Sequence, residues 1–192
     1  MCINDKWILA VVTLGFLALP LMAQPHHHDV VIGRSSLNVL KVEAPEDPTV
    51  LLPTAPGFPL PGWSGIMPGF EALEEDEPGE DFYKLQPGAL IELEVLELHN
   101  GLRVFNNFLQ EVQVGQRWQL GNHELHTHGL WLIDRQVNPD PELTPAVGRF
   151  MVHDVGTTGY GPSQPFELVF TPEPGSGLAL TWLVLALTAR RR

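Results

Sequence analysis

Residues 89–98 read Ala-Leu-Ile-Glu-Leu-Glu-Val-Leu-Glu-Leu, with Ile91, Leu93 and Val95 falling on one side and Glu92 and Glu94 on the other. A period of two sorts apolar and charged side chains onto opposite faces of a strand. His99-Asn100-Gly101 follows as a strong turn signal, and residues 102–105 supply the return strand. Shorter runs of the same kind occur at 29–33, 37–42, 116–120, 124–133, 148–155 and 165–170, with Arg34-Ser35-Ser36 as a polar turn between the first two. Between the two ends of the chain, no stretch of a dozen residues has helical periodicity. The expected body is therefore all-β, an antiparallel β-sandwich or jelly-roll-like domain, and the 18 Gly and 18 Pro provide its turns.

Residues 45–81 interrupt the alternation. Residues 45–69 hold seven prolines, and each proline drives the residue before it away from the helical region, so an extended, irregular excursion is expected. Residues 71–81 hold seven acids in eleven positions. That run reads as a solvated loop; calcium is the sharper alternative, but the oxygen-ligand spacing with a central glycine that an EF-hand needs is missing. The whole chain of 192 residues carries 11 Lys+Arg against 23 Asp+Glu, a net charge of −12. Such a chain repels phosphates and anionic lipids, which excludes nucleic acid and basic-patch membrane attachment as partners.

Both ends read as addresses. Lys6, an apolar run over residues 7–19, Pro20 and then Leu21-Met22-Ala23 before Gln24 have the anatomy of a secretory signal peptide over residues 1–23. Cleavage by signal peptidase after Ala23 removes Cys2, the one cysteine. The mature chain would then offer no thiol for nucleophilic catalysis or zinc–thiolate coordination. Residues 171–192 run Thr171-Pro172-Glu173-Pro174, Gly175-Ser176-Gly177, an apolar stretch and Arg190-Arg191-Arg192. Residues 175–189 span about 22 Å as a helix, short of the roughly 30 Å hydrocarbon core, a gap that snorkelling arginines and local thinning partly cover. The terminal arginines keep that end of the expected transmembrane helix cytoplasmic and the body outside.

In this order, Pro172, Glu173 and Pro174, a short apolar helix and the cluster Arg190, Arg191, Arg192 resemble the PEP-CTERM sorting signal of Gram-negative bacteria. The resemblance implies processing by an exosortase, a membrane-embedded cysteine protease. It also implies an exported product, transiently anchored in the inner membrane and then held at the cell surface, outer membrane or extracellular matrix. The remaining body, residues 24–170, has seven basic residues against 21 acidic ones and is more acidic than the precursor.

The eight histidines are grouped. His26-His27-His28 opens the mature chain beside Asp29, His123, His126 and His128 form His-x-x-His-x-His, and His153 precedes Asp154. On a strand His126 and His128 share a face, and their imidazoles could hold zinc at about 2.0–2.1 Å. His153 and Asp154 on a neighbouring strand could add a ligand or orient one. His123 and His28 are further candidates. Neutral imidazoles would capture Zn²⁺ above roughly pH 6 and release it on protonation. Packing without metal is the alternative.

The His-x-His strand invites comparison with cupins, but Gly121 stands one residue too near His126, Asp134 follows His128 too late, and His153 lies too far beyond Pro145-Ala146-Val147-Gly148. The body is similar, more loosely, to surface-anchored PEP-CTERM proteins repressed by the zinc-uptake regulator: His28-Asp29-Val30, the His-rich strand near Trp131 and the closing Pro165-Phe166-Glu167-Leu168-Val169-Phe170 carry that likeness. It implies extracellular zinc capture. Gly-x-Ser-x-Gly is absent, Trp63-Ser64-Gly65 reads as a turn, and Trp131 reads as core. No catalytic residue is assigned. A non-enzymatic, exported metal-binding surface protein is the leading expectation; a cupin-like metal-dependent enzyme and a structural matrix or biofilm component are the alternatives.

Overall fold

The computed structural model describes residues 29–173. The expected signal peptide over residues 1–23, His28, the transmembrane helix, Pro174 and Arg190, Arg191 and Arg192 lie outside the described residues. Within them the protein is all-β, with twelve strands and one short 3₁₀ turn at Pro78–Glu80. The strands are β1 (Val30–Arg34), β2 (Leu40–Glu43), β3 (Thr49–Pro53), β4 (Gly62–Gly65), β5 (Phe70–Ala72), β6 (Leu90–His99), β7 (Leu102–Phe105), β8 (Arg117–Asn122), β9 (His126–Thr127), β10 (Leu130–Asp134), β11 (Ala146–Asp154) and β12 (Phe166–Pro172). They form a four-stranded sheet, β2-β1-β5-β9, and a curled eight-stranded sheet, β7-β10-β4-β3-β12-β11-β6-β8.

The alternating segment at 89–98 becomes β6, the longest strand, with Ile91, Leu93 and Val95 buried. Asn100 and Gly101 turn it into β7 at positive φ of 55° and 77°. Two features depart from the sequence reading. Pairing is antiparallel except at β1–β5 and β3–β12, which run parallel. A hairpin can only return antiparallel, whereas the long connections between these partners let the chain re-enter in the same direction. The stretch at 45–81 is also not irregular throughout, since it supplies β3, β4 and β5, and Trp63-Ser64-Gly65 lies in a strand rather than a turn. Proline ends β3 at Pro53 without interrupting it, because Thr49 to Leu52 remains free to pair.

The core lies between the sheets and is aromatic at its centre. Phe70 of β5 packs edge-on against Trp118 of β8, with ring centroids 5.7 Å apart and an interplanar angle of 88°. It also lies 6.1 Å from Trp131 of β10, which in turn contacts Phe150 and Phe170 at 5.7 and 4.9 Å. Trp131 and Phe70 are wholly buried, and each such side chain contributes roughly 1.5–3 kcal/mol by leaving water. The run expected as one strand at 124–133 is split. β9 belongs to the small sheet and β10 to the large one, and Gly129 lies between them where a Cβ would meet the Phe105 carbonyl and the Trp118 ring at 2.6 and 2.7 Å. The chain changes sheets there, immediately after His126 and His128.

Candidate metal centre

Strand register assembles the site. In the β5–β9 pair Phe70 stands opposite Thr127 and Glu71 opposite His126, and in the parallel β1–β5 pair Val30 stands beside Phe70. Phe70 points into the core, so alternation turns its neighbours Gly69 and Glu71 to the outer face. That face also receives His126, His128 and, from the residue just before β1, Asp29. The Gly69 N–H donates to Asp29 Oδ1 at 2.7 Å, which leaves Oδ2 directed at the two imidazoles.

The Nε2 atoms of His126 and His128 are 3.1 Å apart. Asp29 Oδ2 lies 3.5 Å from the first and 3.9 Å from the second. The circle through three points so spaced has a radius of about 2.0 Å, which matches the bond length of zinc to imidazole nitrogen or carboxylate oxygen. Asp29, His126 and His128 can therefore hold one metal ion. Two imidazoles and a carboxylate are a donor set suited to Zn²⁺ and other divalent first-row metals.

The surroundings fix the ligands. His128 Nδ1 lies 3.3 Å from the Ile66 carbonyl, which can only accept; this contact favours the tautomer with the proton on Nδ1, whose Nε2 lone pair would be free for a metal. The turn bearing Ile66 is held to the core by Trp131, whose Nε1–H donates to the Pro68 carbonyl at 2.9 Å. Gly69 leaves room for the imidazole; a Cβ there would collide with the His128 ring. The side chain of Asp29 is 10% exposed and that of His128 32%, while His126 stands out at 62%.

Of the described histidines and acids expected as ligands, the structure joins His126 and His128 and places His123, His153 and Asp154 elsewhere. Asp154, at the end of β11, accepts from the backbone N–H groups of Leu90, Gly156 and Tyr160 and from the Thr158 hydroxyl, at 3.0, 2.9, 3.3 and 2.5 Å. Burial alone would push its pKa up, but these bonds outweigh burial and hold the carboxyl below the usual aspartate range. Its oxygens are occupied in tying the β11–β12 connection to β6. His153 faces away from the small sheet, with Nε2 at 2.6 Å from Glu94 Oε2 but without hydrogen-bond alignment. His123 sits in the β8–β9 turn, 3.9 Å from Glu124, and lines a cleft of about 350 Å³ with Glu71, Glu74, Lys84 and His126. Of the sorting motif, Pro172 ends β12, and the Glu173 N–H donates to the Leu51 carbonyl at 2.9 Å.

Asp29 is the candidate ligand that sequence reading did not select. It adjoins the N-terminal histidine run, yet nothing in the sequence pairs it with His126, because the parallel β1–β5 contact that does so joins segments about forty residues apart. Comparison with protein-family models, curated proteins and solved structures gave no match.

Proposed function

We propose that the protein is an exported, surface-held, non-enzymatic metal-binding protein that captures zinc through Asp29, His126 and His128. The observation carrying the metal reading is the convergence of three ligand atoms from two segments at 3.1, 3.5 and 3.9 Å, with one imidazole already oriented by the Ile66 carbonyl. The exposure of the site supports capture rather than catalysis. His126 is 62% exposed, so an ion there would sit on the outer face of a sheet rather than at the bottom of a concave substrate pocket.

Export and sorting rest on the chain ends: the signal-peptide anatomy of residues 1–23 and the resemblance of residues 171–192 to a PEP-CTERM tail. Signal peptidase and an exosortase are the processing partners in this reading, and the C-terminal helix is the membrane contact. Among the described residues no helix is long and apolar enough to cross a membrane.

Calorimetric titration of the full chain with zinc tests the metal reading. One equivalent should bind, and His126→Ala with His128→Ala should abolish binding while the unfolding transition of the metal-free protein persists. Undiminished binding by that double variant would reject the site. Fractionation of expressing cells tests the topology: an unprocessed, soluble product in the cytoplasm would reject export.

A further inference from the structure

We infer that Glu71 is the fourth protein ligand of this site, so that the loaded ion sits in a closed Asp29–Glu71–His126–His128 shell without an open coordination position. The inference rests on the metal reading above and deepens it.

Three observations carry it. Glu71 is the direct cross-strand partner of His126 in the antiparallel β5–β9 pair, which sets their Cβ atoms about 4.5–5.5 Å apart on one face. A glutamate in that relation can reach an ion bound at the opposite imidazole. Glu71 is half-buried and lines the same cleft as His126. In the structure its carboxylate stands outside the three-atom cluster, and rotation about its own side-chain bonds would bring an oxygen in. No hydrogen bond or ion pair to another described residue holds it, whereas Glu92, Glu94 and Glu97 on the large sheet each meet an arginine.

Charge points the same way. Asp29 and two neutral imidazoles leave a divalent ion with one uncompensated positive charge, and a second carboxylate makes the complex neutral. Two nitrogens and two oxygens from side chains complete the tetrahedron preferred by Zn²⁺ in structural sites, where all four positions are taken by protein. Glu71 thereby decides what the site does. A closed shell retains the ion and offers no position to a substrate.

Cobalt(II) titration of the full chain, followed by visible absorption, tests this, because tetrahedral Co²⁺ absorbs intensely and octahedral Co²⁺ weakly. The native protein should give the intense band. Glu71→Gln should lose it and bind about tenfold or more weakly. Glu71→Asp keeps the charge but shortens the reach, and should also lose the band. Glu74→Gln, which removes a neighbouring acid from the same cleft, should leave spectrum and affinity within about threefold of native. An intense band retained by Glu71→Gln, or an equal loss in Glu74→Gln, would overturn the inference and leave the three-residue site standing. Absence of any cobalt or zinc binding by the native chain would overturn both.

Discussion

Gly69 and His128 compete for one volume of space: the imidazole lies where any side chain on residue 69 would begin, and the same glycine's N–H grips Asp29 at 2.7 Å. One backbone position thus clears room for one candidate metal ligand and orients another. Gly69→Ala should displace His128, weaken zinc binding about tenfold or more, and cost roughly 1–3 kcal/mol of stability through overpacking. Titration and denaturant unfolding of the same sample report both quantities. Native zinc affinity in this variant would show that His128 does not ligate.

Asp29→Asn retains an acceptor for the Gly69 N–H but gives up the negative charge. Metal-free stability should change by less than about 1 kcal/mol, as for a single exchanged hydrogen bond. The added stability conferred by zinc, about 2.7 kcal/mol when free metal is a hundred times the dissociation constant, should largely vanish. Thermal unfolding with and without zinc separates these two effects. A loss of metal-free stability with the zinc increment intact would mark Asp29 as purely structural.

Asp154 should behave in the opposite manner. Its four hydrogen bonds tie the β11–β12 connection to β6, so Asp154→Ala should cost roughly 1–3 kcal/mol by removing a charged acceptor from largely part-buried donors, with zinc affinity unaltered. The net effect of burial and hydrogen bonding lowers its pKa in the folded state. Its contribution is therefore present in full above the ordinary aspartate value of 3.8 and is lost as pH falls through the lower folded value. Acid unfolding curves of the native and Asp154→Ala proteins should accordingly converge at low pH.

Glu111 provides a second acid-sensitive contact. Arg103 donates to both of its carboxylate oxygens, at 2.9 and 2.6 Å, and to Asp134 at 3.3 Å. Hydrogen bonding from Arg103 holds the Glu111 carboxyl below the usual glutamate range against the opposing effect of partial burial. The pair stabilises fully above the ordinary value of 4.5 and fades as pH drops through the folded one. Glu111→Gln should cost about 1 kcal/mol at neutral pH, since the pair is partly exposed, and the difference from native should shrink towards pH 3. A pH-independent difference would mean that the lost shape, and not the charge, is what matters.

Phe70 links packing to the site. It is wholly buried between Trp118 and Trp131, and its inward direction is what turns Gly69 and Glu71 outward. Phe70→Ala should cost about 3–5 kcal/mol and weaken zinc binding, whereas Phe70→Leu should retain most of the affinity. Equal affinity in both variants, measured well below their unfolding temperatures, would disconnect the core from the metal site.

How far the sequence reaches can be seen residue by residue. β6 and β7 are legible because Ile91, Leu93 and Val95 alternate with acids and Asn100-Gly101 admits a tight turn; these preferences act over neighbouring residues. β3, β4 and β5 are not legible, because flanking prolines and acids dominate the local pattern and the strands are stabilised by partners far along the chain. For the site, spacing alone places His126 and His128 on one face, a consequence of strand geometry that holds in any fold. The adjacency of His153 and Asp154 in sequence suggested a ligand pair, yet β11 belongs to the large sheet and Asp154 is consumed by backbone N–H groups. Sequence by itself determined an acidic, thiol-poor, strand-rich chain with a two-histidine face. Only the tertiary structure decided that Asp29 and Glu71 are the acids beside that face, because their approach depends on the parallel β1–β5 and antiparallel β5–β9 registers, and register between distant strands is set by burial of Phe70 and its aromatic neighbours rather than by any local signal.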